Sequence, residues 1–201
     1  MKNGFKPREL TLLGLMTALL VVMSCTPLGY LNIGPLAISF NMIPVAIAAV
    51  ALGPWGGLIT GAVFGISSFL QCLGIGGISA MGVTLFEINP ILAFLQRFLP
   101  RMIFGLLTGF IHKGVKNWLG STVAGFVAGF SAALLNTALF MLTLVLFFGN
   151  SDYIQGLMGG QNVIVFICSF VGINAIFEMV VSTLVTGTLT KALEKARFIG
   201  R

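Results

Sequence analysis

Six apolar segments follow one another along this chain, and each is close to the ~17–25 residues that an α-helix needs to cross a lipid bilayer. They are Leu10–Pro27, Leu36–Leu52, Trp55–Leu73, Ile91–Ile111, Leu119–Phe148 and Val163–Leu189. The stretches between them are short and leave no room for a soluble domain. The sequence therefore predicts an all-α membrane protein, a six-transmembrane-helix bundle that forms one integral membrane domain over residues 1–201.

Composition supports a lipid environment. Only 8% of the residues are charged and 57% are hydrophobic, whereas about a quarter of a soluble domain is charged.

Pro44 lies inside the second segment, which leaves open an interfacial position for that segment instead of a spanning one. A proline is tolerated in a membrane helix when neighbouring groups satisfy the freed carbonyl.

Basic residues are concentrated on one side of this predicted bundle. They precede the first segment, separate the fourth from the fifth and follow the sixth, and they are Lys2, Lys6, Arg8, Lys113, Lys116, Lys191, Lys195, Arg197 and Arg201. The loops on the other side carry Glu87 and Asp152. By the positive-inside rule both termini are expected in the cytoplasm, in a multi-pass protein of the bacterial cytoplasmic membrane. This pattern accounts for the net charge of +6, so we expect no nucleic-acid partner.

The first segment also has features of a signal peptide that ends near Cys25. Residues 22–24 fit a lipoprotein cleavage site poorly, and further membrane segments follow instead of a secreted domain. We therefore expect this segment to be retained as the first span.

The three cysteines are scattered along the chain, at Cys25, Cys72 and Cys168. They have neither disulfide nor metal-site spacing, which indicates packing roles.

Small residues recur at intervals of four in several segments. The pattern includes Gly14 and Ala18, the series Gly53, Gly57, Gly61 and Gly65, and the pairs Gly105 and Gly109, Gly125 and Gly129. Such stripes let helix backbones approach closely within a membrane. They predict either internal packing of the bundle or a face for a partner protein, and spacing alone does not separate the two.

The sequence has no pattern typical of a catalytic, cofactor or metal site. It lacks a GxxxxGK[ST] phosphate loop, an HExxH pair and a CxxC pair. Its single histidine, His112, lies beside Lys113 at a helix end, where positive charge complements the helix dipole. We therefore expect a non-enzyme without a cofactor or metal.

Polar groups at bilayer depth are the candidate binding residues. Arg97 and Arg101 share a face of the fourth segment, Asn174 and Glu178 share a face of the sixth, and Asn136 lies in the middle of the fifth. A charge at this depth costs about 2.5–3.5 kcal/mol and marks a candidate functional site. Three structural alternatives stay open: Arg101 and Glu178 neutralise each other, Arg97 snorkels to the headgroups, and the asparagines bond helices together.

Several stretches resemble one transporter family. They are "IPVAIAAVALGPWGGLITGAVFGISS", "PRMIFGLLTG", "NTALFML" and "INAIFEMVVSTLVTGTLTKAL". The chain is similar over nearly its whole length to the substrate-binding S components of energy-coupling factor (ECF) vitamin transporters. Its Pro-Arg at 100–101, Asn136-Thr137 and Asn174…Glu178 are most similar to the pantothenate-type branch, from which it departs at Asn41-Met42.

The resemblance implies a function and a set of partners. S components bind a vitamin near the outer face, through the loops after the first, third and fifth helices and through helices four to six. They then dock on a transmembrane coupling protein that carries two cytoplasmic ATP-binding subunits, here through Gly14 and Ala18 of the first helix.

Within the site that this resemblance implies, Arg101 would hold a ligand carboxylate in its planar fork. Asn136, Asn174 and Glu178 would bind hydroxyl and amide groups, with Arg97 nearby. The alternatives are a stand-alone secondary carrier and a ligand-free structural membrane protein.

Overall fold

The computed structural model describes residues 6–26, 29–32, 37–196 and 198–199. In chain order its elements are α1 (Pro7–Ser24), β1 (Tyr30–Asn32), β2 (Ala37–Ser39), α2 (Met42–Leu70), a 3₁₀ turn (Gln71–Leu73), α3 (Ala80–Ile88), α4 (Pro90–Leu119), α5 (Ser121–Phe148), α6 (Asp152–Met158) and α7 (Val163–Lys195). The two strands form an antiparallel hairpin in which Tyr30 pairs with Ser39. Lys2, Arg197 and Arg201, and the segment ends Pro27 and Leu36, lie outside the described residues.

The nearly all-helical membrane fold agrees with the sequence. Among the described residues, five helices are long and apolar enough to cross a bilayer: Pro7–Ser24, Met42–Leu73, Pro90–Leu119, Ser121–Phe148 and Asn174–Lys195. The count is five and not the predicted six because the second and third predicted segments belong to the single element α2.

Helix α2 is folded back on itself at Gly53. The backbone of this residue has φ 75 and ψ −168, and Pro54 opens the second helical stretch. A Cβ built on Gly57 would lie 2.8 Å from the Cβ of Ala49, a distance that two residues so far apart cannot have in a continuous helix. At the C-terminal end of α2, Gln71 Nε2 donates to the carbonyl oxygen of Ser24 at 2.9 Å, so this end of the element returns to the end of α1. The element is therefore a hairpin with arms 42–52 and 54–70.

The first arm is shorter than the predicted segment Leu36–Leu52. Residues 37–39 are a strand, and the helix begins only at Met42. At 1.5 Å per residue this arm is about 16 Å long, whereas a hydrocarbon core is ~30 Å thick. Pro44 lies in the first turn, where a missing N–H removes no intrahelical hydrogen bond. The proline that raised the interfacial alternative thus fits the helix without a kink.

Glycines lie where helix backbones touch. A Cβ on Gly57 or Gly61 of α2 would collide with the carbonyl oxygen of Gly105 or Arg101 of α4. The corresponding neighbours at the other positions are Phe98 for Gly65, Pro54 for Gly109, Thr190 for Gly125 and Ser182 for Gly129. Internal packing is therefore confirmed for these glycines. Gly53 differs, because it forms the turn of α2 and no other described segment comes within 4 Å of a Cβ built there.

Contacts between distant helices show which elements lie at each end of the bundle. The Arg8 guanidinium lies 4.3 Å from the centre of the Phe198 ring, and Thr122 Oγ1 donates to Glu194 at 2.8 Å. These contacts bring the start of α1, the start of α5 and the end of α7 to one end, the basic end. The strand hairpin, the 3₁₀ turn, α3 and α6 lie at the opposite end, called the site end below.

Candidate functional site

A cavity of about 550 Å³ lies within the site end of the bundle. Its wall is formed by the C-terminal end of α1 with the two residues after it, the strand hairpin, α2, the 3₁₀ turn, residues 76–81, α4, α5 and α7. None of the described lining residues comes from the connection between α5 and α7, although the resemblance implied a contribution from that loop. Small-molecule sites typically measure ~300–1,000 Å³, so the cavity has the size of a ligand pocket.

Arg101 is only 6% exposed and lies in the cavity wall between two aromatic rings. Its guanidinium carbon is 5.3 Å from the centre of the Phe64 ring and 4.9 Å from that of Phe140. Both distances are within the range of cation–π attraction. Its Nη1 donates to the carbonyl oxygen of Gln96 at 3.3 Å. Within the part of the chain that the structure describes, its Nε has no hydrogen-bond partner.

Arg97 points into the same cavity and does not snorkel. It is as buried as Arg101, at 6% exposed, and its Nη2 donates to Ser79 Oγ at 3.1 Å. Ser79 Oγ also accepts from the backbone N–H of Gly82 at 3.2 Å, which caps the start of α3. One serine thus connects Arg97 to the start of α3 and to the wall segment 76–81.

Glu178 is held by the strand hairpin and by α5. Its Oε1 accepts from the backbone N–H of Ser39 at 2.7 Å, and its Oε2 accepts from Thr137 Oγ1 at 3.3 Å. Glu178 as a residue is only 6% exposed. Arg101 and Glu178 both line the cavity, yet no salt bridge joins these two described residues, and each is bonded to other groups. Direct neutralisation of one by the other is therefore not the arrangement in this structure.

The two predicted asparagines also line the cavity. Asn136 is buried, and its Oδ1 has no hydrogen-bond partner among the described residues. Asn174 is half-buried on α7, one helical turn before Glu178. All five candidate binding residues from the sequence, Arg97, Arg101, Asn136, Asn174 and Glu178, thus meet in one cavity.

Several lining groups carry no clear sequence signal. Ser39 contributes its backbone N–H, Tyr30 lies on strand β1, and Ser79 lies in the connection that precedes α3. The buried hydroxyl of Tyr30 has no hydrogen-bond partner in the described ranges. Phe140 was the most accessible to sequence reasoning, because it follows Asn136 by four residues and so shares its helix face.

The ionisable side chains of the cavity wall leave an excess of positive charge. The arginines Arg97 and Arg101 contribute +2 and Glu178 contributes −1, so these three groups sum to +1. A buried charge without a partner is costly. An anionic group of a ligand that enters the cavity would balance this excess.

Gly14 and Ala18 lie on the outside of the bundle, away from the cavity. Helix α1 buries Leu12, Met16 and Leu20, and the two small residues are exposed on its other side. Among the described residues, no other part of the chain comes within 4 Å of a Cβ built on Gly14. This small-residue face of α1 is therefore open, unlike the glycines between α2 and α4.

Comparison with known proteins identifies relatives along most of the chain. A family model described as "ECF transporter, substrate-specific component" matches residues 8–190. The "Pantothenic acid transporter PanT" of Lactococcus lactis subsp. cremoris is 24% identical over 207 residues, which cover 96% of this chain and 96% of that protein. The "Pantothenate transporter PanT" of Leuconostoc mesenteroides subsp. mesenteroides is 27% identical over 173 residues, which cover 83% of this chain and 79% of that protein.

Proposed function

Because this chain belongs to the family of substrate-specific components of ECF transporters, we propose that it binds pantothenate in the cavity at the site end and presents it for uptake. The observation that carries the proposal is a ligand-sized cavity whose ionisable groups sum to +1. The names of the two relatives direct the proposal to pantothenate. The cavity also weighs against a ligand-free structural protein, since such a protein gains nothing from buried charges around an open space.

Pantothenate has groups that match the cavity wall. Its single carboxylate would offset the charge excess at Arg101, whose planar fork can donate two parallel hydrogen bonds to a carboxylate. Its hydroxyl and amide N–H groups would donate to Glu178 and to the unpartnered Oδ1 of Asn136. Asn174 would bind from the α7 side. The ligand is thus proposed to lie with its carboxylate toward α4.

Calorimetry on the purified chain, freed of bound small molecules by dialysis, tests this proposal. Pantothenate should bind, and panthenol, in which a primary alcohol replaces the carboxylate, should bind about 10- to 150-fold more weakly. This range corresponds to the ~1.5–3 kcal/mol of a hydrogen bond to a charged group. Equal affinity for the two compounds, or no binding of pantothenate, would contradict the proposal.

We further infer a topology of six spans with both termini in the cytoplasm. The two arms of α2 would then enter and leave the membrane as a short hairpin, with strand β2 extending the first arm toward the outer surface. The support is the basic end, where Lys113, Lys116, Lys191 and Lys195 lie on the ends of α4 and α7.

A reporter fused after Arg201 tests this topology. A reporter that works only in the cytoplasm should be active, and one that works only on the outer side of the membrane should be inactive. Activity of the second kind of reporter would overturn the topology.

We also infer that the small-residue face of α1 docks on a transmembrane coupling protein with two cytoplasmic ATP-binding subunits. Exposed Gly14 and Ala18 would let a partner helix approach the α1 backbone closely. ATP hydrolysis by the partner would supply the energy that a chain without a phosphate loop does not supply itself.

A further inference from the structure

Pro100 lies inside α4 immediately before Arg101 and is buried. A proline has no N–H, so it cannot make the helical hydrogen bond to the carbonyl four residues earlier, which here belongs to Gln96. Gln96 is fully buried, and a buried carbonyl without a donor is costly in a membrane protein. The structure shows which group occupies this position: Arg101 Nη1 donates to Gln96 O at 3.3 Å.

We propose that Pro100 is a positioning residue for the binding site, because it frees the Gln96 carbonyl that then anchors the guanidinium of Arg101. The proposal rests on the function proposed above and adds a role for a residue that touches no ligand itself. The anchor uses Nη1 from the helix side. It leaves Nε, which has no partner among the described residues, to a ligand.

The two aromatic rings cannot replace this anchor. Phe64 and Phe140 attract the guanidinium at 5.3 and 4.9 Å, but cation–π attraction does not fix the rotation of the fork about its own axis. A hydrogen bond to a fixed carbonyl does fix it. Carboxylate recognition by arginine depends on that orientation, because its two hydrogen bonds must be parallel.

Pro100→Ala tests the proposal, since alanine restores the N–H that bonds to Gln96 O and draws that carbonyl back along the helix axis. The variant should fold, because its helix gains a hydrogen bond. The matched control is Pro90→Ala in the same helix, where proline occupies the first position and its missing N–H deprives no helical carbonyl.

The first measurement needs no ligand. The rate at which Arg101 reacts with phenylglyoxal in the ligand-free chain, followed by peptide mass spectrometry, should rise in Pro100→Ala because Nη1 is released. It should stay unchanged in Pro90→Ala. An unchanged rate in Pro100→Ala would overturn the proposal whether or not pantothenate binds. A raised rate in a chain that binds no pantothenate would retain the anchor and reject only the proposed function.

The second measurement is affinity. Pro100→Ala should weaken pantothenate roughly tenfold, the scale of one hydrogen bond to a charged group, and should leave panthenol unchanged. In an Arg101→Met background the same substitution should change neither affinity. An equal loss for both compounds, or a loss that persists without Arg101, would show that the proline acts through the shape of α4, and the proposal would be wrong.

Discussion

Arg101→Ala is expected to weaken pantothenate binding by about 2–5 kcal/mol, roughly 30- to 4,000-fold, which is the range for truncating one member of a buried charge pair. The side chain is 6% exposed and lies between Phe64 and Phe140. Arg101→Lys should recover only part of the loss, because an ammonium does not reproduce the fork. Calorimetry on the purified variants measures both effects.

Arg97→Ala is the matched comparison, because Arg97 lies one turn earlier on the same helix face and is equally buried. Its guanidinium already donates to Ser79 in the wall segment 76–81, so truncation should cost binding less than the loss of Arg101 does. An Arg97→Ala variant that loses more affinity than Arg101→Ala would place the ligand carboxylate at Arg97 instead.

Glu178 separates a binding role of Arg101 from mere charge balance. If Arg101 only offset the charge of Glu178, the double variant Arg101→Met with Glu178→Met would still bind pantothenate at full strength. The two residues form no ion pair and each is held by other groups, so mutual charge balance does not account for Arg101. We therefore expect the double variant to fold and to bind no pantothenate. Full-strength binding by the double variant would remove Arg101 from the site.

The helical part of the fold could be predicted because each feature depends on nearby residues. Apolar length gives the helices, and spacing by four places Arg97 and Arg101 on one face. The boundary drawn between Leu52 and Trp55 coincides with the reversal of α2 at Gly53, since a Gly-Pro pair interrupts a helix locally. The short first arm was not predicted, because the apolar sequence of residues 37–39 suits a strand as well as a helix.

The candidate site could be predicted only in part, for a different physical reason. A charged or amide side chain at bilayer depth is visible in the sequence because it is costly there. Its partners are not visible when they are backbone groups or come from distant connections. The bond from the Ser39 N–H to Glu178 joins positions 139 residues apart, and any residue other than proline would offer the same donor. Likewise, the pairing of Arg101 with the Gln96 carbonyl depends on which acceptor the fold leaves open.

The small-residue face of α1 gives the second large expected effect. Gly14→Leu and Ala18→Leu should each cut pantothenate uptake by cells that contain the coupling protein and its ATPases, while binding to the isolated chain stays intact. Added bulk between closely packed helices costs about 1–3 kcal/mol, which is roughly 5- to 150-fold in the association with the partner. The variants should fold, because both residues are exposed and no other part of the described chain comes within 4 Å of a Cβ on Gly14.

Two control variants test whether the loss of uptake is specific to the small-residue face of α1. Gly156→Leu makes the same change at another open, exposed glycine, on α6 at the opposite end of the bundle, and should leave uptake unchanged. Gly105→Leu makes it where a Cβ would lie 2.9 Å from Val45 Cγ1 and against the backbone of Gly57, so little folded protein should be recovered. Uptake, co-purification with the coupling protein and calorimetry are measured together. If Gly14→Leu and Ala18→Leu abolish pantothenate binding and leave co-purification unchanged, the two residues pack within the bundle. This face of α1 would then not be the docking surface.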